Sequence, residues 1–435
     1  MSHILICCVP NPGHFRPMFA VGRHLASIGH TITFNTSDVF RKQVETSGLR
    51  FVPLTGKANI DYQNPSDTSV KTIPAGMEST QMLKFWLTDP FPDQYNCVKQ
   101  ILSETPVDLI VTDTGFFGGF PLLLGPRESR PPILSVGVNP LMLRSVDCGV
   151  TSPPATTPEE RERNRKENLE AETRFQALHD EFDAALNTFG ARPLPGFFAD
   201  LMYTLPDRFL QFTGDAFEYP RSDMPATIHF VGPVWPNAAA DFKEPAWWKE
   251  LDGSRPVAVV TQGTLTNFDL NELIQPTLTA LAEDDVFVIA VTGGADTKRV
   301  TAPSNARVEK FIPFEWLLPK ADVLITNGGY GSVQQALSMG VPLVVAGEGE
   351  KGFSAARVAW TGAGIDLKTG HPTAEQIGTA ARTVLADQRY REQAQRLQKN
   401  FAQYDALAEI ARHVDSMLAG TTDEESMTPT AGSVS

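Results

Sequence analysis

Short apolar, β-branched runs alternate with longer amphipathic stretches along most of this chain, the rhythm of a parallel sheet covered by helices on both faces. In the first half, residues 3–9 read as a strand, 17–28 as a helix closed by Gly29, and 31–36 as the next strand. Further strands fall at 108–112 (DLIVT) and within 132–137 (ILSVG). The stretch 158–188 is heavily charged, with Leu169, Phe175, Leu178, Phe182 and Leu186 on one helical face and a solvated opposite side. After a strand at 228–231 comes GPVWPNAAADFKEP, whose prolines and small residues suit a linker.

A second alternation starts beyond it. Residues 257–261, 286–291, 308–311, 322–326 and 343–346 read as strands, with helices at 272–281, 332–339, 373–385 and 388–418. The Thr/Ser-rich 420–435 reads as a disordered tail. The pattern predicts an α/β protein with two doubly wound, Rossmann-like domains facing each other across a crevice. The expected division is 1–235, a linker at 236–255, 256–400, and a last helix at 401–419. A length of 435 residues agrees, since single cores stop growing well before that size. Ligands of such sheets sit beyond the carboxyl ends of the strands, so the crevice is the expected site.

Within that rhythm, residues 322–342 stand apart. A buried strand runs into Asn327-Gly328-Gly329-Tyr330-Gly331, and a helix opens at Ser332. Glycines let the backbone approach a ligand closely, and a helix start offers free N–H groups and a positive dipole end to phosphate. Such turns also serve plain packing. The formal charge of −14 argues against nucleic acid and makes any phosphate ligand depend on local dipoles of this kind.

No apolar run is long enough to span a bilayer, and MSHILICCVPNPGH reads as a first strand, not a signal peptide. Cys7, Cys8, Cys97 and Cys148 show no CxxC spacing, which gives neither a disulfide framework nor a zinc site. Reduced thiols in the cytoplasm are the expectation.

In the first domain the strand end is followed by Pro10-Asn11-Pro12-Gly13-His14, which is not the GxGxxG of a dinucleotide-binding turn. It delivers an imidazole to the mouth of the sheet at a helix start, where the dipole is expected to keep the ring neutral and able to accept a proton. Asp113 ends the strand DLIVT at the same edge. A carboxylate there can fix the imidazole tautomer and stabilise the imidazolium, or it can simply cap the turn at Thr114-Gly115. The aromatic-rich segment with Met82, Phe85, Trp86, Phe91 and Tyr95 is either core or the lining of an apolar pocket.

At this point the chain resembles the family 1 nucleotide-sugar-dependent glycosyltransferases of the two-Rossmann-domain (GT-B) type, closest to the branch that modifies macrolides and other natural products. The resemblance runs through PGHFRPM, VTDTGFFG, FVGPVWP, TQGT, FIPFEWLLPKAD, TNGGYGSVQQAL and GVPLVVAG, in that order. It implies His14 as general base with Asp113 as its partner, no metal, and inverting transfer of a hexose, by default glucose, from a UDP-sugar to a small hydrophobic acceptor. It also implies donor contacts from Gly263 and Thr264, from Phe311 and Ile312 at the nucleobase, and from Phe314 beside the ribose. The turn Asn327, Gly328, Gly329, Tyr330, Gly331 and Ser332 faces the diphosphate, with Gln335 at the ribose and Glu350 and Lys351 at the sugar. Acceptor-pocket candidates are Phe15, Phe85, Trp86, Phe116, Phe117 and Met142. The family's last helix crosses back to the first domain, and a monomer or weak dimer is expected. Asn327, Gln335 and the Glu350-Lys351 pair depart from the family's usual histidine, glutamate and Asp-Gln, which leaves UDP against thymidine diphosphate, and the sugar, open. Two rivals are a nucleotide-sugar epimerase of the same fold and a non-catalytic partner subunit; a nicotinamide dehydrogenase lacks its glycine fingerprint.

Overall fold

The computed structural model describes residues 1–62, 83–235, 242–264 and 269–420. Met82, Pro236–Asp241 of the expected linker and 421–435 of the expected tail lie outside them. Two wholly parallel sheets carry the fold. The first holds β1 (His3–Cys7), β2 (Thr31–Thr36), β3 (Arg50–Pro53), β4 (Leu109–Asp113), β5 (Ile133–Gly137), β6 (Arg208–Gln211) and β7 (Ile228–Phe230) in the order β3-β2-β1-β4-β5-β6-β7. The second holds β8 (Val257–Thr261), β9 (Phe287–Val291), β10 (Ala306–Glu309), β11 (Val323–Thr326), β12 (Leu343–Val345) and β13 (Gly364–Asp366) in the order β10-β9-β8-β11-β12-β13. In each, the chain reverses its direction of travel between the first and fourth strands, which opens a crevice there.

The register brings the chemistry to those points. Cys7 of β1 lies opposite Thr112 of β4, so the turn after β1 and Asp113 emerge side by side. In the second sheet Thr261 of β8 lies opposite Thr326 of β11, which pairs the TQGT turn with the glycine turn.

Three short strands, β3, β6 and β13, escape the hydrophobic pattern because each carries charged residues. Arg208 of β6 is buried, its guanidinium donating to the His413 carbonyl at 3.2 Å. The first helix runs Pro12–Ser27 and so starts five residues earlier than its proline at 17 suggests. Asn11 caps it by accepting from the Gly13 N–H, and Pro12 occupies the first turn, where a missing N–H costs nothing. His14 therefore sits inside the helix's first turn.

The charged stretch forms two helices, Pro158–Arg174 and Gln176–Thr188, broken at Phe175. Leu178, Phe182 and Leu186 are buried, whereas Leu169 is exposed because it lies before the break. The last long helix is also two, Gln388–Phe401 and Ala406–Ala419. Phe401 packs in the core of the second sheet, while Ala406, Ile410 and Val414 enter the core of the first beside Phe15, Met18 and Val21. The chain thus crosses back and clamps the two halves together. Trp247, Trp248 and Leu251 fold onto the second core, so the described part of the expected linker belongs with that half.

Candidate active site

Asp113 is the last residue of β4 and is buried. Its Oδ2 accepts from the Val9 N–H at 2.8 Å, and its Oδ1 accepts from the Gly115 N–H at 2.6 Å and from His14 Nδ1 at 2.9 Å. Turn capping and imidazole orientation are therefore one arrangement, not alternatives. With Nδ1 donating to the carboxylate, Nε2 carries the free lone pair, and it faces the Asn139 amide nitrogen at 3.4 Å. The expectation of a ring held neutral by the helix dipole is corrected. Burial opposes the imidazolium, but the charge and hydrogen bond of Asp113, with Glu350 adding from across the crevice, raise the His14 pKa above its usual 6.5.

On the opposite wall the glycine turn leads into the helix Tyr330–Ser338. Gly328 has φ +89°, and a Cβ there would stand 2.9 Å from the Lys351 carbonyl oxygen and from Val345, so only glycine fits. A Cβ on Gly331 would meet nothing within 4 Å, and one on Gly329 only the Ser332 hydroxyl at 3.9 Å. The first helical bond is Val333 N–H to the Gly329 carbonyl, which leaves the N–H groups of Tyr330, Gly331 and Ser332 without a partner among the described residues. Open space and unspent donors coincide. The Asn327 amide nitrogen donates to the Gln262 carbonyl at 2.6 Å and so joins this turn to the TQGT segment that holds Gly263 and Thr264. Gly263, at φ +74°, likewise faces open space.

Other expected donor residues divide. Phe311 is 62% exposed, its ring lying across Gly294, and forms an open platform at the end of β10. Ser332 and Gln335 are partly exposed. Ile312 has its side chain buried in the second core, which leaves its backbone to meet a base. Phe314 is half-buried against the same core. Tyr330 offers the turn its backbone N–H alone. Its side chain is buried and its hydroxyl bonds to Gln211 Nε2 of the first half at 3.1 Å, away from the ligand side. Glu350 is exposed at the start of the helix Glu350–Trp360. Burial pushes the Lys351 ammonium down from its usual range, against Glu350 and Glu272.

Of the acceptor-pocket candidates, Phe15, Phe116 and Phe117 are core residues. Phe15 stacks on Phe40 at 3.8 Å, Phe117 packs against Phe120 and Phe182, and Phe116 lies in the core beside Val9 and Leu123. Phe15 follows His14 and the Phe116-Phe117 pair follows Gly115, yet all three side chains pack inward. Phe91 is core as well. Phe85, Trp86 and Met142 remain partly exposed. Tyr62, itself buried, lies against them with its ring 4.3 Å from that of Trp86. Burial, with the charge of Asp113 adding, raises the Tyr62 phenol's pKa.

The sequence reading missed the seam between the halves. Arg357 and Glu218, both fully buried, form an ion pair across it. The pair grips the loop after β5: Glu218 accepts from the Leu141 N–H at 2.9 Å, and Arg357 donates to the Leu141 carbonyl at 2.7 Å. Burial works against the Arg357 charge, and Glu218 more than restores it. Isolated charges in a helix and a loop gave no signal of this.

Two parallel sheets whose switch points face one another, one carrying a His–Asp pair and the other a glycine turn, define a transferase of the GT-B class. A solved structure described as the glycotransferase of kitacinnamycin superposes with a TM-score of 0.73 at 21% identity, covering 96% of this chain and 98% of that one. Residues 275–417 match the model of the erythromycin biosynthesis protein CIII-like C-terminal domain. The chain is 35% identical to UDP-glycosyltransferase 2 of Phaeomoniella chlamydospora over 96% of both chains. It is 36% identical to 4'-demethylrebeccamycin synthase of Lentzea aerocolonigenes, over 96% of this chain and all of that one. The chain therefore belongs to the family 1 nucleotide-sugar-dependent glycosyltransferases and is a hexosyltransferase.

Proposed function

We propose that this enzyme transfers a hexose, by default glucose, from a UDP-sugar to a hydroxyl of a small hydrophobic natural product, with inversion at the anomeric carbon. One observation carries the reading: a tautomer-fixed imidazole stands at one switch point and three unpartnered N–H groups at the other. His14 Nε2 takes the acceptor hydroxyl's proton as that oxygen bonds to the anomeric carbon. The bond from that carbon to the diphosphate oxygen breaks, and UDP leaves with the electron pair. Developing charge on the diphosphate is met by the N–H groups of Tyr330, Gly331 and Ser332 and by the helix dipole, so the reaction runs without a metal. Phe311 supplies a stacking face for the base, and Gln335 an amide for the ribose hydroxyls. Glu350 accepts from hydroxyls of a neutral sugar, while Tyr62, Phe85, Trp86 and Met142 form the apolar side that receives the acceptor. Four buried free thiols support a reducing, cytoplasmic setting.

The test is turnover in excess EDTA against a panel of UDP-sugars and apolar hydroxylated acceptors, read by mass spectrometry and by NMR of the anomeric proton. The wild type should give the inverted glycoside, and His14→Ala should lose roughly a hundredfold to ten-thousandfold in turnover with UDP affinity little changed. Near-normal turnover by His14→Ala defeats the mechanism. Sugar epimerisation with no acceptor present selects the epimerase instead.

A further inference from the structure

The base does not stand alone on its acceptor side. Asn139, in the loop after β5, presents its amide nitrogen to His14 Nε2 at 3.4 Å, the atom that must receive the proton. That separation is long for a hydrogen bond, so the contact is weak and readily exchanged. The direction of the amide follows from the tautomer. Nδ1 spends its proton on Asp113, Nε2 can only accept, and Asn139 must therefore turn its NH2 toward it. Its Oδ1 takes no hydrogen bond among the described residues.

The loop holding Asn139 is fixed through Gln211, which links it to the other half of the molecule. Gln211, wholly buried at the end of β6, shares its Nε2 between the Asn139 carbonyl oxygen at 2.8 Å and the Tyr330 hydroxyl at 3.1 Å. Gly137 makes room for this, since a Cβ there would fall 2.0 Å from Gln211 Oε1. Tyr330 is the first residue of the helix whose free N–H groups face the donor. A continuous set of contacts thus runs from the donor turn through Tyr330, Gln211 and Asn139 to the base.

We propose that Asn139 holds the acceptor hydroxyl for attack, and that Tyr330 and Gln211 are positioning residues that set Asn139 from the donor turn. The incoming hydroxyl displaces the weak contact, accepts from the Asn139 NH2 and donates its hydrogen to His14 Nε2. One oxygen lone pair is then left free and aimed at the anomeric carbon. The proton passes to Nε2 as the new bond forms, and the amide keeps its hydrogens throughout. A water molecule, having two hydrogens and no anchoring body, gains less from the same grip, so Asn139 favours transfer over donor hydrolysis. The inference rests on His14 as the base.

The experiment measures glycoside formation and donor hydrolysis side by side in the full-length protein for Asn139→Ala, Asn139→Asp, Tyr330→Phe and His14→Ala. Asn139→Ala should lower kcat for transfer roughly ten- to a hundredfold, as for a misplaced reactant, with the KM for UDP-sugar unchanged and the ratio of transfer to hydrolysis reduced. Asn139→Asp should lose transfer and also shift the acid limb of the rate profile upward, because a carboxylate beside Nε2 favours the imidazolium. Tyr330→Phe keeps the buried ring and loses only the hydroxyl, and should lower the same ratio by about two- to tenfold. Equal loss of transfer and hydrolysis in Asn139→Ala, or wild-type transfer by it while His14→Ala is inactive, overturns the role of Asn139 and leaves the base standing. Wild-type partition in Tyr330→Phe removes the link to the donor turn. An active His14→Ala removes the base and this inference together.

Discussion

The two switch points share one topology and use it in opposite ways. In the first sheet the turn after β1 is stiffened by Pro12 and capped by Asn11, so a helix starts at once and its first turn carries a side chain, His14, against a strand-end carboxylate. In the second the turn after β11 holds glycines, Gly328 at φ +89° and Gly331 open to space, and the helix start is bare backbone. Proline and asparagine place a titratable ring; glycine removes side chains so that N–H groups can reach a ligand. On the proposed mechanism, one edge moves a proton and the other holds a charge. The contrast shows that a doubly wound sheet supplies a location, while turn composition decides which chemistry occupies it.

The comparison has meaning only while the two edges face each other, and the buried seam sets that. Replacing Arg357 by Ala leaves Glu218 buried beside Leu141 with its nearest remaining cation, Arg221, 3.8 Å away. The loss should be about 3–5 kcal/mol, toward the lower end because Arg221 stays, read as a lower denaturation midpoint. A midpoint within error of wild type would mean that the halves hold together without this pair.

A smaller effect separates backbone chemistry from folding on the donor side. Gly331→Ala puts a methyl into open space within a helix, so stability should hold or rise by about 0.5–1 kcal/mol. On the proposed reading the same methyl stands where the diphosphate approaches and should disturb hydrogen bonds to a charged group worth about 1.5–3 kcal/mol, or roughly ten- to a hundredfold in UDP affinity by calorimetry. Unchanged UDP affinity would move the phosphates away from this turn.

The parallel sheets were legible because their central strands are uninterrupted apolar runs, and His14, Asp113 and the glycine turn because strand ends are where such sheets put chemistry. Registers Cys7–Thr112 and Thr261–Thr326 set those strand ends side by side. What could not be read depended on pairings between residues far apart in the chain. Nothing near Asn139 or Gln211 marks them, since their contacts arise only when Gln211 bridges the loop after β5 and Tyr330, more than a hundred positions on. Phe15, Phe116 and Phe117, expected in the acceptor pocket, each pack inward, because the inward or outward face of a turn residue is not marked in the sequence. The early helix start at Pro12 was hidden by Pro17, a second proline that the helix accommodates.

The finest distinction between the edges is electrostatic. A base must be neutral to act, so a His14 pKa raised above 6.5 places the acid limb of kcat/KM above that value, with activity rising as pH passes through it. Asp113→Asn removes the main source of that rise and should move the limb down in pH, while turnover falls by less than in His14→Ala because the base survives. Glu350→Gln should move it in the same direction by less, since Glu350 acts through charge alone and from the opposite wall. The side chain keeps its shape and its ability to accept from sugar hydroxyls, so KM for the donor serves as a second reading. A limb that stays put while donor KM rises would make Glu350 a sugar contact with no hold on the base. A limb that shifts at constant donor KM would mean that the donor edge tunes the proton transfer at the other, so that the two switch points are coupled by field as well as by the seam.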